Sequence, residues 1–169
     1  KAGDVLNTAF RLEIIAGAAL MVLCGLFAPK ILAVFGATAD ELYFSVPYIR
    51  IYLSGTIFAM ISTGINPYIN AQGYSTIGMK SVLVGAISNI ILDPIFIFTL
   101  GLGVSGAAIA TVLSQFLSML FVMKFLLGPK NEFKISFGNF FSFPYAKEIA
   151  SLGLSPFVMQ CTNSLVSVA

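Results

Sequence analysis

The sequence predicts an all-α membrane protein, a polytopic helical bundle of four complete transmembrane helices with a fifth at its C-terminal end. Three observations predict it. The chain is 58% hydrophobic and 9% charged, against about 25% charged residues in an ordinary soluble domain, so it lacks the polar side chains to cover a water-facing surface. Its mean hydropathy is +0.96. Uncharged runs then reach spanning length. Ile51–Met79 is 29 residues, Pro94–Met123 is 30 and Ile149–Ala169 is 21, where a span needs roughly 20 apolar residues rising about 1.5 Å each.

The first apolar segment covers about Phe10–Phe27 and closes near Pro29–Lys30, where proline interrupts helical hydrogen bonding and a charge follows. The second runs from about Tyr43 to Asn70, with a kink or unwound turn expected at "GINP" (Gly64–Pro67). The third is about Ser81–Leu100 and the fourth about Val104–Leu127. The fifth begins near Ile149 and meets the chain end. Between them, "FGATADELYF" (35–44) reads as a polar loop and "AQGYSTIGMK" (71–80) as a short turn. Residues 128–148 are long enough to connect two halves. Their phenylalanines and interleaved lysines suit a segment lying in the membrane interface, or an ordinary loop. A start at Lys1 without Met and a stop inside an apolar run are what an excerpt from a longer protein would show.

Positive charge sets the expected orientation. Lys1, Arg11, Lys80, Lys124, Lys130, Lys134 and Lys147 fall on one side, and Lys30 and Arg50 on the other. Seven against two makes the first side, with the 128–148 connector, cytoplasmic. The first span then runs outward, and the rest alternate.

Composition also narrows the chemistry. There is no histidine, so Ser-His catalysis and His-ligated metal are excluded within the segment. Cys24 and Cys161 lie far apart in apolar runs, which suggests small core residues rather than a disulfide framework. A net charge of +2 implies no nucleic-acid partner. "GLGVSG" (Gly101–Gly106) matches the dinucleotide fingerprint in letters, yet it lacks a preceding soluble strand and an acid about 20 residues on. It reads as a glycine-rich turn between the third and fourth spans. No nucleophile–base pair or metal cluster appears, which argues against an enzyme.

The 43 residues between Lys80 and Lys124 hold one charged side chain, Asp93. Asn89 and Asp93 sit four apart and share one helix face, with Gly85 a turn earlier. Pro94 has no N–H and crowds the carbonyl of Ile90, which would free an acceptor oxygen near the carboxylate. A charge inside a membrane costs about 2.5–3.5 kcal/mol on insertion scales, and such residues usually face a protein interior or an aqueous cavity. The alternative is a carboxylate pinned structurally by Asn or backbone donors. Asp93 stands about thirteen residues into an outward-running span, hence in the outer half of the bilayer. On the fourth span Ala107, Thr111, Ser114 and Ser118 form a narrow face of small and hydroxyl side chains, suited to close helix packing or to lining a cavity.

At "INPYINAQGYS" (65–75), "SNIILDPIFIFTLGLGVSGAAIATVLSQ" (88–115) and "LGLSPFVMQCTNSLVS" (152–167), the chain resembles the multidrug and toxic compound extrusion (MATE) family. The resemblance implies that the five segments are family helices three to seven of a twelve-helix, two-lobe transporter. Residues 1–127 would be the last four helices of the first lobe, 128–148 the cytoplasmic inter-lobe connector, and 149–169 the first helix of the second lobe. It also implies a secondary active exporter in the plasma (inner) membrane, monomeric at full length, among membrane lipid. Its substrates would be small-molecule drugs or metabolites, often amphipathic cations, exchanged for Na+ or H+, with no cofactor beyond that ion. By motif position the cation-coupling ligands would be Asn66, Asn89, Asp93 and Thr111, joined by an Asp on a helix outside this segment.

Oxygen donors of this kind suit a hard cation. Pro67 and Pro94 directly follow Asn66 and Asp93, and broken helices beside an ion site recur in transporters. A low-dielectric setting disfavours a bare carboxylate, so a proton would compete there with Na+. The four ligands are therefore expected to converge although they lie on three spans. A lipid-linked oligosaccharide flippase is the alternative within the superfamily, although no Lys or Arg is expected deep in a span. A non-transporting scaffold would leave Asp93 unexplained.

Overall fold

The computed structural model describes residues 2–128 and 143–168, and every regular element among them is helical. The order is α1 (Ala2–Val34), α2 (Ala39–Ser54), α3 (Thr56–Gly64), α4 (Asn66–Ala71), α5 (Ser75–Pro94), α6 (Gly103–Leu126) and α7 (Phe143–Val168). Among the described residues, three helices are long and apolar enough to cross a membrane: α1, α5 with its continuation to Thr99, and α6. Helix α2 with the α3–α4 run makes a fourth span, bent by 47°. Helix α7 is not among these candidates; it packs along α1.

The helix breaks differ from the sequence expectation in instructive ways. The second span bends at Gly55, while the expected break at Gly64–Pro67 is a one-residue interruption at Ile65. Pro67 lies in the first turn of α4, where its missing N–H would have had no helical partner in any case. Gly55 is different. A Cβ there would meet Val112 Cγ2 at 2.8 Å and Gln115 Oε1 at 2.9 Å, so the break is where the second span presses onto α6. Pro29 does not close the first span either, since α1 continues to Val34; bilayer helices tolerate interior proline when neighbouring groups re-satisfy the backbone. After Pro94 the helix widens into a π-helical stretch, Ile95–Thr99, closed by the Leu100 N–H donating to Ile95 O at 2.9 Å.

Expected loops shorten for local reasons. The acids of "ADEL" begin α2 rather than filling a loop, because the Thr38 N–H donates to Glu41 Oε2 at 2.8 Å in the manner of a capping box. The 71–80 turn contracts around Gly73, which adopts φ +83°, and Lys80 becomes part of α5. Gly101 and Gly103 take φ +65° and +54°, left-handed values that favour glycine, so "GLGVSG" is a turn between helices. Helix α7 begins at Phe143, six residues ahead of the expected fifth span, and takes 143–148 from the expected connector. The rest of that connector, 129–142, lies outside the described residues, and the interface-helix reading of it lies there too. Cys161 is exposed and Cys24 half-buried, so neither is the core residue expected.

The bundle is packed tightest at the end that carries Lys80 and Lys124. Leu6 and Phe10 of α1, Ile61 of α3, Ile65, Ile69 of α4, and Val122, Phe125 and Leu126 of α6 form one buried cluster. The Tyr74 ring meets Phe125 edge-on at 5.1 Å. Within lipid there is little hydrophobic drive between helices, so shape fit and dispersion hold such a cluster. At the other end of α5–α6, a Cβ on Gly106 would lie 2.6 Å from the Phe96 carbonyl oxygen and 2.8 Å from its carbon. Backbone on that side cannot swing away. Gly106→Ala should therefore cost about 1–3 kcal/mol, read as a lower thermal unfolding midpoint in detergent, whereas Gly25→Ala, with open space at its Cβ, should leave the midpoint in place.

Candidate functional site

Helix α5 packs more extensively on α6 than any other pair of elements, and small side chains allow it. Gly85 faces Ser118, whose Cβ would stand 3.4 Å from a Cβ on the glycine. The Ser118 hydroxyl donates to Ser81 O at 2.8 Å. Farther along, α5 carries Asn89 and Asp93 one turn apart, and α6 presents Thr111 opposite them. Asn89 Nδ2 donates to Asp93 Oδ1 at 3.3 Å and to Thr111 Oγ1 at 3.4 Å. The Thr111 hydroxyl donates to Ala107 O at 2.9 Å. All three side chains are half-buried, and the exposed face of this turn is instead occupied by Ile90 and Ile91.

The chemistry of the cluster follows from its atoms. Asn89 uses its amide N–H groups within the cluster. The oxygens left to meet a cation are the amide oxygen of Asn89, the carboxylate of Asp93 and the hydroxyl oxygen of Thr111. These are hard donors, suited to Na+ or a proton and unsuited to soft metals. Bonds of 3.3–3.4 Å are at the long end of the hydrogen-bond range, which leaves room for the groups to rearrange around an ion.

Asn66 is elsewhere. Its Nδ2 donates to Gly78 O and to Ser81 Oγ, both at 3.2 Å, and the Ser81 hydroxyl donates to Gly78 O at 2.7 Å. Eight residues separate Ser81 from Asn89, about 12 Å along a helix. The structure thus brings together three of the four expected residues and places Asn66 at the opposite end of α5. The reason is Gly78. Without a side chain there, the amide of Asn66 lies directly against the α5 backbone. The two readings of the α6 hydroxyl face also divide by position: Ser118 packs and bonds to α5, Ser114 bonds its own helix at Thr111 O, 2.8 Å, and Thr111 joins the polar cluster.

Two polar groups were not singled out by the sequence reading. Gln115 on α6 has a buried Oε1 without a hydrogen-bond partner, beside the Gly55 break. Glu13 on α1 has a buried, unpartnered Oε2 and lies against Gly64. The signal for Glu13 was available, since "EIIAGAALMVL" carries an acid inside an apolar run as Asp93 does.

The sequence profile of the MatE family matches residues 1–95, which include Asn89 and Asp93. The chain belongs to the MatE family. It is 30% identical over 136 residues to the multidrug export protein MepA of Staphylococcus aureus (strain bovine RF122 / ET3-1), covering 79% of this chain and 30% of that protein. To MepA of Staphylococcus haemolyticus (strain JCSC1435) it is 30% identical over 150 residues, covering 87% and 33%. The chain thus spans about a third of the length of these curated relatives. Among solved structures it resembles the outward-facing conformation of a multidrug resistance MATE family transporter of the MOP superfamily. The TM-score is 0.88 at 28% identity, with 96% of this chain and 36% of that one covered. The inward-facing conformation of such a transporter gives 0.78 at 26%, covering 90% and 40%. Family membership and the apolar helices make this a multi-pass membrane protein.

The separation of Asn66 from the Asn89 cluster is testable by thermal stability of full-length protein. A double-mutant cycle of Asn89→Ala with Thr111→Val should show a coupling of about 0.5–1 kcal/mol, while Asn66→Ala with Thr111→Val should add to within about 0.3–0.5 kcal/mol.

Proposed function

We propose that this chain is part of a secondary active multidrug exporter that exchanges amphipathic, often cationic compounds for Na+ or H+, with Asp93 as the coupling residue. The observation that carries the reading is a carboxylate held inside the membrane by Asn89, which bonds at once to Asp93 and to Thr111 of the neighbouring span. An ion that binds this set with different affinity in two conformations biases the balance between them, and differential affinity is the only way a ligand shifts such an equilibrium. Pro94 and the π-helical stretch after it put an adjustable piece of backbone next to the carboxylate. Asn66 stands outside the set in this conformation.

The proposal places residues 1–127 as the last four helices of a first six-helix lobe, 128–148 as a cytoplasmic connector, and 149–169 as the start of a second lobe in the plasma membrane. The relatives named above are multidrug exporters by name, which favours export of drugs over the oligosaccharide-flippase alternative. The orientation rests on the seven-to-two distribution of Lys and Arg. A cysteine engineered at Asn131 in the full-length transporter should resist membrane-impermeant thiol reagents applied to intact cells; labelling from outside would reverse the orientation.

Asp93→Asn tests the coupling role. Asn is nearly isosteric and removes a buried charge, so folding should survive, yet it can neither release a proton nor neutralise Na+. In vesicles with imposed Na+ or pH gradients, dye export should fall to background at wild-type protein levels. Export at the wild-type rate would make Asp93 a structural acid.

A further inference from the structure

Helix α1 brings a second carboxylate into the bundle, at a place unrelated to the Asp93 cluster. Glu13 lies within the first span. One of its oxygens, Oε2, is buried and has no hydrogen-bond partner. The carboxyl group rests on Gly64, the last residue of α3, so closely that any side chain there would occupy the space of Oε1 and Cδ. This recess exists because residue 64 is glycine and because the helix is interrupted at Ile65. Gly17, one turn along α1, continues the close approach, with Ile57 and Met60 at 3.2 Å from its Cβ position. Phe10, Ile61 and Ile65 close the same region as part of the buried cluster.

Among the described residues, the groups around it offer little to hold a negative charge. Helix α3 carries no titratable residue. Helix α4 carries Tyr68, which is partly buried against the same cluster. On α1 itself the nearest charge is Arg11, two residues away and therefore turned to a different face of the helix. Helix α7 brings Lys147 and Glu148 to the bundle on exposed positions. Helix α2, which also packs on α1, carries Asp40, Glu41 and Arg50 and the tyrosines Tyr43, Tyr48 and Tyr52. An ionised carboxylate with a buried unpaired oxygen is among the most costly arrangements a membrane helix can hold. A carboxylic acid is not, because a proton removes the charge.

We propose that Glu13 is a proton-binding residue of the membrane domain that carries its proton while α1 packs on Gly64. Protonation and packing are then linked. The packed arrangement favours the acid, so raising the pH favours any opening between α1 and the α3–α4 break. This inference rests on the helix packing and the membrane span, and it does not depend on Asp93 coupling export to an ion.

The test is infrared difference spectroscopy of the full-length transporter in liposomes at pH 7. Subtracting the Glu13→Gln spectrum from that of wild type should isolate the C=O stretch of a protonated carboxyl group, and Glu13→Asp should move that band rather than remove it. If the subtraction instead reveals a carboxylate stretch, Glu13 is ionised and the inference is overturned. Should Glu13→Gln fail to fold, a pH titration of wild type against Glu13→Asp decides: a carboxyl band that shifts between the two at pH 7 supports the assignment, and a carboxylate band that shifts overturns it. Asp93→Asn, subtracted separately, reports its own carboxyl, so this result and the coupling role of Asp93 can fail independently.

Discussion

The Asp93 cluster of this bundle depends on how closely α5 and α6 approach. Small residues set that distance. Gly85 opposes Ser118, Ser118 reaches the α5 backbone at Ser81, and Gly106 admits the Phe96 carbonyl where the π-helical stretch turns into α6. In water such a seam would be a weak use of sequence, since Gly and Ser bury little apolar area. In lipid it is an effective one, because close backbone contact and interhelical hydrogen bonds replace the missing hydrophobic drive. The same spacing lets Asn89 bond to Thr111 across the interface, and a wider one would leave Asn89 bonded only to Asp93 on its own helix.

The two acids illustrate two ways to hold a carboxylate in a bilayer. Asp93 has a donor one turn away, which itself bonds to a hydroxyl across the seam, and an adjustable stretch of backbone after it. That surrounding accommodates a charge and suits exchange of a cation or proton. Glu13 has a glycine recess and an oxygen without a partner, a surrounding that suits the neutral acid. The difference comes from neighbours rather than from the acids themselves, as it does for paired carboxylates in many polar sites.

Much of this was legible in the sequence. The apolar composition identified a helical membrane protein, the uncharged run Pro94–Met123 marked α6, and the four-residue spacing of Asn89 and Asp93 placed both on one face, where the structure has them bonded. Thr111 joined them as the small-residue face of α6 and the family resemblance together suggested. What failed were inferences from single residues. Pro29 does not close the first span, because a proline within a bilayer helix costs little, and Gly55 gave no local signal because its role is set by Val112 and Gln115 on another helix. The break expected at Gly64–Pro67 is present, as the interruption at Ile65. Asn66 carries the right chemistry for a cation ligand and still points elsewhere, because Gly78 leaves room for its amide to reach the Gly78 carbonyl and the Ser81 hydroxyl. Such choices depend on contacts between helices, which periodicity does not encode.

The central claim is that the Asp93–Asn89–Thr111 cluster senses the ion that drives the carrier. Charge displacement in proteoliposomes of the full-length transporter on a solid-supported membrane tests this most directly, with a rapid step in Na+ or in pH as the trigger and no drug present. The account predicts a transient current in wild type and in Asp93→Glu, and none in Asp93→Asn. A current of wild-type size in Asp93→Asn would contradict it and place ion recognition outside this cluster.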